Sequence, residues 1–503
     1  MKVLLVERYM AFAIGIASLY TVVIAAIRQK TAKIITGIFS TIIIIFLVFP
    51  IWSYYLTNGV FFDTTSVLAI FQTNPDEAYG YLEHFINVRV IVSLIVSTFA
   101  FIVILYSAQK LKLSDISSYR KISYILIIFL AMDIFLVYRS RQNVVCLPYL
   151  NARDYIKNYV IFQMSIKKRE KITQQLMQNA VESNNGLYVL VIGESETRDH
   201  MHAYGYQEEN TPWLSSMTED NGFVCFSQAY SSYVQTVQSL TYALTAKNQY
   251  NDIALDNAIS LIEAAKAAGF KTIWISNQKK FGMFDTPITI VAGESDQQMW
   301  LNEKSLEGQN WGYDGQLIEK MNEVGLTEND KTLLVLHLAG NHMTYKDRYP
   351  REFDKYDEGT DDKNSLSCYD NSVLYNDYVM ESIYNRVKDI PNFKAMVYFS
   401  DHGEHVTAGH DPNKFTWSMT RIPMYMIFSN EYIRENGNVV NGLRLHKDTA
   451  YTNDLTFNTM MSIMGIDMPA IYEPENDFTK ASYDGRKDRL KTLYRKYRLS
   501  EEQ

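Results

Sequence analysis

The segment "VYFSDHGEHVTAGHD" (397–411) places carboxylate and imidazole side chains directly after an apolar run. Its candidates for acid–base or metal chemistry are Asp401, His402, Glu404, His405 and His410. Carboxylates and imidazoles are the oxygen and nitrogen ligands of a catalytic zinc ion, which keeps one coordination position open for a reacting group. A turn that begins at Gly403 would aim Asp401 and His402 at one point. Taken alone, this dipeptide also fits a structural role, in which Asp401 caps a helix and His402 packs in the core.

Polar residues also follow the other apolar runs in this part of the chain. The runs cover residues 187–193, 270–276, 331–338, 394–400 and 422–429. Because they are apolar throughout, they predict strands buried on both faces, in a mostly parallel sheet between helices. The polar residues that follow the first four runs are Glu194, Asn277, Gln278, His342, Asp401 and His402. Since ligands bind at the carboxyl ends of parallel strands, we expect these side chains to form a single site.

The segment "SYVQTVQSLTYALTAKN" (232–248) offers a nucleophile for such a metal site. Its pattern is typical of a loop that enters a helix, with Thr236 near the helix N-terminus, where backbone N–H groups favour an anion such as phosphate. A hydroxyl bound to zinc loses its proton more readily, as bound water does when its pKa falls to ~7. Thr236 also fits the simpler role of an N-cap. Ser239 and Thr241 are lesser candidates, since they lie deeper in the helix. The chain has three cysteines and no Cys-x-x-Cys pair, so a thiolate zinc site is excluded.

Composition divides the 503-residue chain into two parts. Four apolar stretches fall in the first 140 residues, at about 9–27, 34–55, 90–107 and 122–138. Each approaches the roughly 20 apolar residues that a membrane-spanning helix needs. The rest of the chain has the composition of a soluble protein. A formal net charge of −8 argues against nucleic acid as a partner, because phosphate binding needs a basic surface.

Basic residues in the short loops predict the orientation of these spans. The first and third loops are basic, whereas the second, near residues 58–88, is mainly acidic. We therefore expect the second loop and everything after the fourth span to lie outside the cytoplasm. The predicted domains are a transmembrane helical domain at 1–140, a connecting interfacial helix at 141–183, and a catalytic domain at 184–503.

Four motifs in the C-terminal part carry a family resemblance. They are "LYVLVIGESETRDHMHAYGYQEENTP" (187–212), "HLAGNHMTYKDRYP" (337–350), "YDNSVLYNDY" (369–378) and "FSDHGEHVTAGH" (399–410). Together and in this order they resemble the bacterial phosphoethanolamine transferases, membrane enzymes of the alkaline-phosphatase/sulfatase superfamily. The resemblance implies an α/β catalytic domain of that fold, with its central sheet between helices.

The resemblance also implies roles for particular residues. It implies a zinc ion held by Glu194, Thr236, Asp401 and His402. Thr236 becomes the catalytic nucleophile, and His342 and His410 become the catalytic residues that contact the phosphoryl group and the leaving or entering oxygen. In the loop between the second and third spans, "FQTNPDEAYGY" (71–81) is similar to the lipid-donor segment of the family. The residues implied in substrate binding are Asn74, Glu77, Asn277 and Gln278.

The implied reaction moves phosphoethanolamine from phosphatidylethanolamine to a cell-envelope acceptor, such as lipid A or a core sugar of lipopolysaccharide. The enzyme would sit in the bacterial inner membrane, with its catalytic domain in the periplasm. Two alternatives remain at this stage. One is a phosphoglycerol transferase of the lipoteichoic-acid-synthase type, and the other is an inactive membrane sensor that binds lipid. Family members commonly have five spans and several disulfides, whereas this chain has four predicted spans and could pair only Cys225 with Cys368 in the catalytic domain.

Overall fold

The computed structural model of the chain describes residues 182–502 except 279–286, 302–311 and 327–330, together with residues 164–176 and scattered positions between 31 and 162. The chain divides into two compact units, residues 1–156 and 157–503. Most of the predicted spans, and the loop that contains Asn74 and Glu77, lie outside the described residues. Within the described positions we find no helix with the length and apolar character that a bilayer crossing requires.

The second unit is built on strands whose bounds are, in chain order, β1 (Leu187–Gly193), β2 (Phe223–Cys225), β3 (Ala229–Tyr230), β4 (Lys271–Ser276), β5 (Gln297–Trp300), β6 (Thr332–His337), β7 (Phe393–Ser400), β8 (Met424–Phe428), β9 (Tyr451–Thr452), β10 (Lys491–Thr492) and β11 (Tyr497–Arg498). Seven of them form one sheet in the order β2-β8-β7-β1-β6-β4-β5. The five strands from β7 to β5 are parallel, and β8 and β2 add an antiparallel edge.

Helices flank this sheet and carry the remaining apolar residues. Their bounds are α1 (Ile166–Leu176), α2 (Pro212–Ser216), α3 (Thr236–Ala243), α4 (Leu261–Ala267), α5 (Pro287–Gly293), α6 (Gln316–Glu323), α7 (Leu366–Val387), α8 (Asn430–Glu435), α9 (Gly437–Leu445) and α10 (Thr456–Ile463). The longest, α7, begins at the N-cap Ser365, whose hydroxyl accepts a hydrogen bond from the Cys368 N–H. Its buried face packs into the main hydrophobic core together with residues of β1, β6 and β7.

The predicted strands are present, and the central ones are buried along their whole length. The run at 422–429 forms β8, which is antiparallel to β7, so the sheet is mostly parallel as predicted, with a reversed edge. A continuous apolar run indicates burial on both faces but carries no information on strand direction. The described thiols of Cys225, on β2, and Cys368, on α7, are free, so the pairing considered from the sequence is absent between these two residues.

The register of the sheet brings three strand ends level with one another. Ile192 of β1 pairs with His337 of β6, and Gly193 pairs with Ser400 of β7. The hydrogen bonding to β1 continues for one residue beyond β6 and β7. The Leu338 N–H donates to the Ile192 carbonyl (3.0 Å), and the Asp401 N–H donates to the Gly193 carbonyl (3.0 Å). The residues that follow β1, β6 and β7 therefore leave the sheet side by side.

Candidate active site and metal centre

Glu194 and Asp401 are the first residues after β1 and β7, so the register of the sheet makes them neighbours. Helix α3 brings a third group to the same place, because it begins at Thr236, and the Thr236 hydroxyl donates to Glu194 Oε2 at 3.0 Å. The helix thus presents its N-terminus, and the partial positive charge found there, at this edge of the sheet. The structure brings together residues that lie far apart in the sequence.

Glu194, Asp401 and His402 form a buried cluster that can hold a metal ion. Each offers one ligand atom, and these atoms lie within 4.8 Å of one another. His402 Nε2 is 3.3 Å from Glu194 Oε1 and 3.5 Å from Asp401 Oδ2. Although both atoms are buried, His402 Nε2 and Asp401 Oδ2 have no hydrogen-bond partner among the described residues. Buried polar atoms without partners are rare, and two carboxylates, an imidazole and a hydroxyl are a donor set that suits zinc.

The ionisation of the cluster is consistent with a site built for a cation. Burial opposes the charge of each group, but for Glu194 the adjacent His402 imidazole and its charge outweigh burial and lower the pKa of its carboxyl. For His402 the two neighbouring carboxylates outweigh burial and raise the imidazole pKa to about 10. Burial and the charge of Glu194 raise the pKa of Asp401 to about 7. A proton on His402 therefore occupies the electrostatic position that a metal cation would take.

Ser195 contacts both carboxylates, and sequence reasoning missed it. Its hydroxyl donates to Glu194 Oε1 at 2.7 Å, and its N–H donates to Asp401 Oδ1 at 3.1 Å. Its backbone has φ +54°, a conformation that non-glycine residues rarely adopt. Tyr369 of α7 holds this turn, because its hydroxyl donates to the Ser195 carbonyl (2.9 Å) and accepts from the Thr197 N–H (2.9 Å). Such strain is typical of functional sites whose surroundings fix the backbone.

The turn after β6 packs directly on Glu194. The Asn341 N–H donates to the Glu194 carbonyl (2.9 Å), and a Cβ on Gly340, which has φ +51°, would lie 2.7 Å from that oxygen. Only glycine fits there without a shift of the backbone. Buried Asp314 fixes the turn by accepting from the Ala339 and Gly340 N–H groups, each at 2.8 Å.

The two residues predicted after β4 take different positions. The Gln278 amide reaches the metal cluster, where Nε2 lies 3.4 Å from Glu194 Oε2 and also donates to the Leu338 carbonyl (2.8 Å). Asn277 is fully buried, and its amide donates to Asp314 Oδ1 at 2.8 Å. Through these contacts Asn277 supports the turn after β6, and its role in substrate binding stays a prediction.

His342 and His410 lie beside the metal cluster and are partly exposed. The ring of His410 is 4.4 Å from that of His402 and 6.3 Å from that of His342, measured between centroids. Buried Glu404 orients His410, since its Oε2 lies 2.6 Å from His410 Nδ1, while its Oε1 accepts from the Tyr345 hydroxyl (3.2 Å). This contact leaves Nε2 as the nitrogen of His410 that can exchange a proton with a bound molecule.

The other two candidate hydroxyls on α3 are engaged in hydrogen bonds to backbone carbonyls. The Ser239 hydroxyl donates to the Asp401 carbonyl (2.6 Å), and the Thr241 hydroxyl donates to the Val237 carbonyl (2.5 Å). Asn453 reinforces the first contact, since its Nδ2 donates to the same Asp401 carbonyl (2.8 Å) and to Ser239 Oγ (2.9 Å). Ser239 and Asn453 therefore fix the backbone of a metal-ligand candidate from below.

Comparisons with known proteins identify relatives of this chain in sequence and in fold. The sulfatase family model matches residues 187–466, more than half of the chain. Phosphoethanolamine transferase EptC of Escherichia coli (strain K12) is 27% identical over 416 residues, covering 75% of this chain and 71% of that protein. The crystal structure of the C-terminal periplasmic domain of EptC from Escherichia coli, in complex with zinc, superposes with a TM-score of 0.58 at 27% identity, covering 64% of this chain and 96% of that one.

A second solved structure gives the same result. The soluble domain of lipooligosaccharide phosphoethanolamine transferase A from Neisseria meningitidis superposes with a TM-score of 0.52 at 26% identity, covering 59% of this chain and 95% of that one. The residues matched by the family model include Glu194, Thr236, Asp401 and His402. The chain therefore belongs to the sulfatase family, and the relatives named above are phosphoethanolamine transferases.

Proposed function

We propose that this protein transfers phosphoethanolamine from phosphatidylethanolamine to a glycolipid acceptor of the cell envelope, through a covalent intermediate on Thr236. The observation that carries the proposal is the Thr236 hydroxyl, which lies at the N-terminus of α3 and 3.0 Å from Glu194 in the buried metal cluster. The names of the relatives support the transferred group, and the lipooligosaccharide enzyme supports the class of acceptor.

Glu194, Thr236, Asp401 and His402 are the residues that would hold zinc. The unpartnered buried atoms of Asp401 and His402 support this donor set, as does the zinc complex of the EptC domain. When bound, the ion supplies Lewis acidity that lowers the pKa of the threonine hydroxyl and offsets charge on the phosphoryl oxygens. Glu194 accepts the hydrogen bond of that hydroxyl and so orients its oxygen for attack.

The reaction proceeds by two displacements at phosphorus. In the first, Thr236 Oγ1, which has given its proton to solvent and stays deprotonated between turnovers, forms a bond to the donor phosphorus, while the bond to the diacylglycerol oxygen breaks and that oxygen takes a proton from a histidine. In the second, an acceptor oxygen gives its proton to a histidine, attacks the same phosphorus and releases Thr236. His410, held by Glu404, and His342 are the residues we assign to these proton transfers, because both rings lie beside the cluster.

We also propose that the first unit anchors the enzyme in the inner membrane and that the catalytic domain faces the periplasm. Large apolar side chains on helical residues of this unit are well exposed, among them Ile35 (62%), Phe39 (64%) and Phe99 (66%), as expected of a lipid-facing surface. The periplasmic location of the similar EptC domain supports this placement. In this arrangement Asn74 and Glu77 would contact the headgroup of the lipid donor.

Trapping the intermediate tests the proposal directly. The full chain in detergent is incubated with phosphatidylethanolamine without acceptor, and its peptides are analysed by mass spectrometry for phosphoethanolamine on Thr236. We expect labelling of the wild-type protein and of Thr241→Ala, a control on the same helix whose hydroxyl is bonded to the Val237 carbonyl. Thr236→Ala should lose the label. A label that persists in Thr236→Ala would remove this residue from the role, and a phosphoglycerol adduct formed from phosphatidylglycerol would change the assigned donor.

A further inference from the structure

A cavity of about 300 Å³ lies beside α3, apart from the metal cluster. Its lining includes Tyr242, Lys247, Asn251, Asp252, Tyr494 and Arg495. The volume lies at the lower end of the range for small-molecule sites. None of these residues takes part in the reaction described above, and they come from two distant segments, one that runs from the end of α3 into the following loop and one near the C-terminus.

Two cations line this cavity and have unused hydrogen-bond donors. Lys247 Nζ donates to the Ile253 carbonyl (2.6 Å), which uses one of its three N–H bonds, and no carboxylate among the described residues lies within 4.0 Å of it. Arg495 Nη2 donates a hydrogen bond to the Asn251 carbonyl (2.9 Å), and the side chain of Arg495 is 46% exposed. Burial and then the charge of Arg495 lower the pKa of Lys247, so the two cations act on each other. An anion between them would relieve this repulsion.

The acidic groups nearby do not neutralise the cavity. Asp252 lies 3.8 Å from Arg495, but its side chain is fully exposed, and such a pair is strongly screened by water. Asp454 is fully buried, its Oδ2 accepts from the Gln249 N–H (2.8 Å), and burial raises the pKa of its carboxyl, which weakens its negative charge. The lining therefore keeps an excess of positive charge.

Two aromatic rings, one of them on α3, form one wall of the cavity. Tyr242 and Tyr494 are stacked, with centroids 4.5 Å apart and planes at 24°. Tyr494 also lies 4.7 Å from the ring of Tyr233, and its hydroxyl donates to the Gln238 carbonyl (2.8 Å). Flat aromatic surfaces with a polar edge pack well against groups that have one apolar face, such as sugar rings.

The cavity lies at a useful distance from the nucleophile. Tyr242 follows Thr236 by six residues on α3, which corresponds to roughly 9 Å along the helix axis at ~1.5 Å per residue. A short oligosaccharide can span this distance. We propose that the cavity binds a phosphate group of a phosphorylated glycan acceptor, with Lys247 and Arg495 on the phosphate and the Tyr242–Tyr494 pair against the adjoining sugar. This assignment deepens the proposed function and depends on it for the identity of the ligand as acceptor.

Binding tests the cavity without any turnover. The full chain, in detergent and treated with a chelator so that the metal cluster is empty, is titrated with glucosamine 1-phosphate or glucosamine by calorimetry. We expect the phosphorylated sugar to bind at least about tenfold more tightly, and Lys247→Gln and Arg495→Gln each to weaken it by about tenfold, as for one charged hydrogen bond. Asp252→Asn should strengthen binding, and Lys496→Gln, an exposed control outside the lining, should not change it. Equal binding of the two sugars, or equal affinity of all variants, would overturn the proposal.

A kinetic measurement separates this proposal from the proposed function. Lys247→Gln and Arg495→Gln should raise the KM for phosphorylated lipid A by about tenfold, while formation of the Thr236 adduct from phosphatidylethanolamine stays at the wild-type rate. If both steps fall together, the cavity serves the donor or the fold, and the acceptor assignment is wrong. If the wild-type protein forms no adduct, the proposed function fails, whereas the binding result remains valid for the cavity alone.

Discussion

Ser195 shows how one residue can support two candidate metal ligands. Its hydroxyl and its N–H hold Glu194 and Asp401, respectively, and neither contact needs the metal. We expect Ser195→Ala to weaken zinc binding by about 10–100-fold, the usual cost of losing an outer hydrogen bond to a ligand. Alanine keeps the Cβ, so the strained φ of +54° is unchanged and only the hydroxyl is lost. Competition with a chromogenic chelator measures the affinity.

A matched control for this variant is Ser382→Ala. The Ser382 hydroxyl donates to the Tyr378 carbonyl on the exposed face of α7, so its removal should leave zinc affinity unchanged. Equal affinities for Ser195→Ala and the wild-type protein would mean that the hydroxyl does not orient Glu194.

The raised pKa of His402 predicts that zinc binding releases a proton. In the metal-free protein its neighbouring carboxylates overcome burial and raise its pKa to about 10, so the imidazole is protonated at pH 7. Zinc takes the neutral imidazole, and binding at pH 7 should therefore release at least one proton, with a further fraction from Asp401, whose pKa is about 7. Calorimetric titrations in buffers of different ionisation enthalpy give the number. A value of zero would show that His402 is already neutral.

At the scale of elements, one buried arginine connects α1 to two other helices of the second unit. Arg169 of α1 lies 3.1 Å from Glu263 Oε2 and also contacts Glu294, at the end of α5. Glu263 belongs to the capping box of α4, with Ser260 as the N-cap. Arg169 therefore links α1 to the start of α4 and to the end of α5.

Removal of the Arg169 side chain should lower the free energy of unfolding by an amount that depends on pH. Arg169→Ala leaves two buried carboxylates without their cation, which typically costs about 3–5 kcal/mol in the free energy of unfolding. Burial and the charge of Glu263 already raise the pKa of Glu294 to about 7, so both carboxyls can take a proton in acid. The loss should therefore be small at pH 5 and largest at pH 8, as measured by unfolding in urea.

Lys168→Ala provides the control for this experiment. Lys168 is on the same helix and pairs with Asp256 at 2.9 Å, but its side chain is 54% exposed. Such a pair contributes less than about 1 kcal/mol, at either pH. A comparable loss in both variants would mean that α1 is attached mainly by its other contacts.

The elements that could be predicted from the sequence are those with a continuous apolar pattern. The runs at 187–193 and 394–400 agree with β1 and β7 to within a residue, and this placed Glu194 and Asp401 at strand ends. The three-residue β2 and the polar β5 lack such a pattern and were missed. The roles of Ser195, Glu404 and Asn453 could not be predicted, because each depends on a contact between segments that only the folded chain brings together.

At the scale of the whole molecule, the site exists only when the sheet is complete. Its ligand candidates leave β1 and β7, its nucleophile candidate begins α3, and Asn453, near the C-terminal end of the fold, supports Asp401. The burial of carboxyl groups in this fold costs free energy, because burial disfavours their charged form. Among the described residues, five buried carboxyls have pKa values raised to about 7, namely those of Glu196, Glu294, Asp370, Asp377 and Asp401.

These raised pKa values predict that pH acts in opposite directions on the stability of the metal-free protein and on the stability gained by adding zinc. A carboxyl with a raised folded pKa contributes stability below its unfolded pKa of about 4, and this is lost as pH rises through 7. Buried His337, whose pKa burial lowers to about 4, and His200, also lowered, act in the opposite direction but are fewer. The thermal midpoint of the metal-free protein should therefore fall from pH 5 to pH 8. Zinc needs Asp401 and His402 deprotonated, so the midpoint gain on adding zinc should grow over the same range. Glu196→Gln should flatten the metal-free curve and keep the growing gain, whereas a gain that is constant with pH would exclude these ligands.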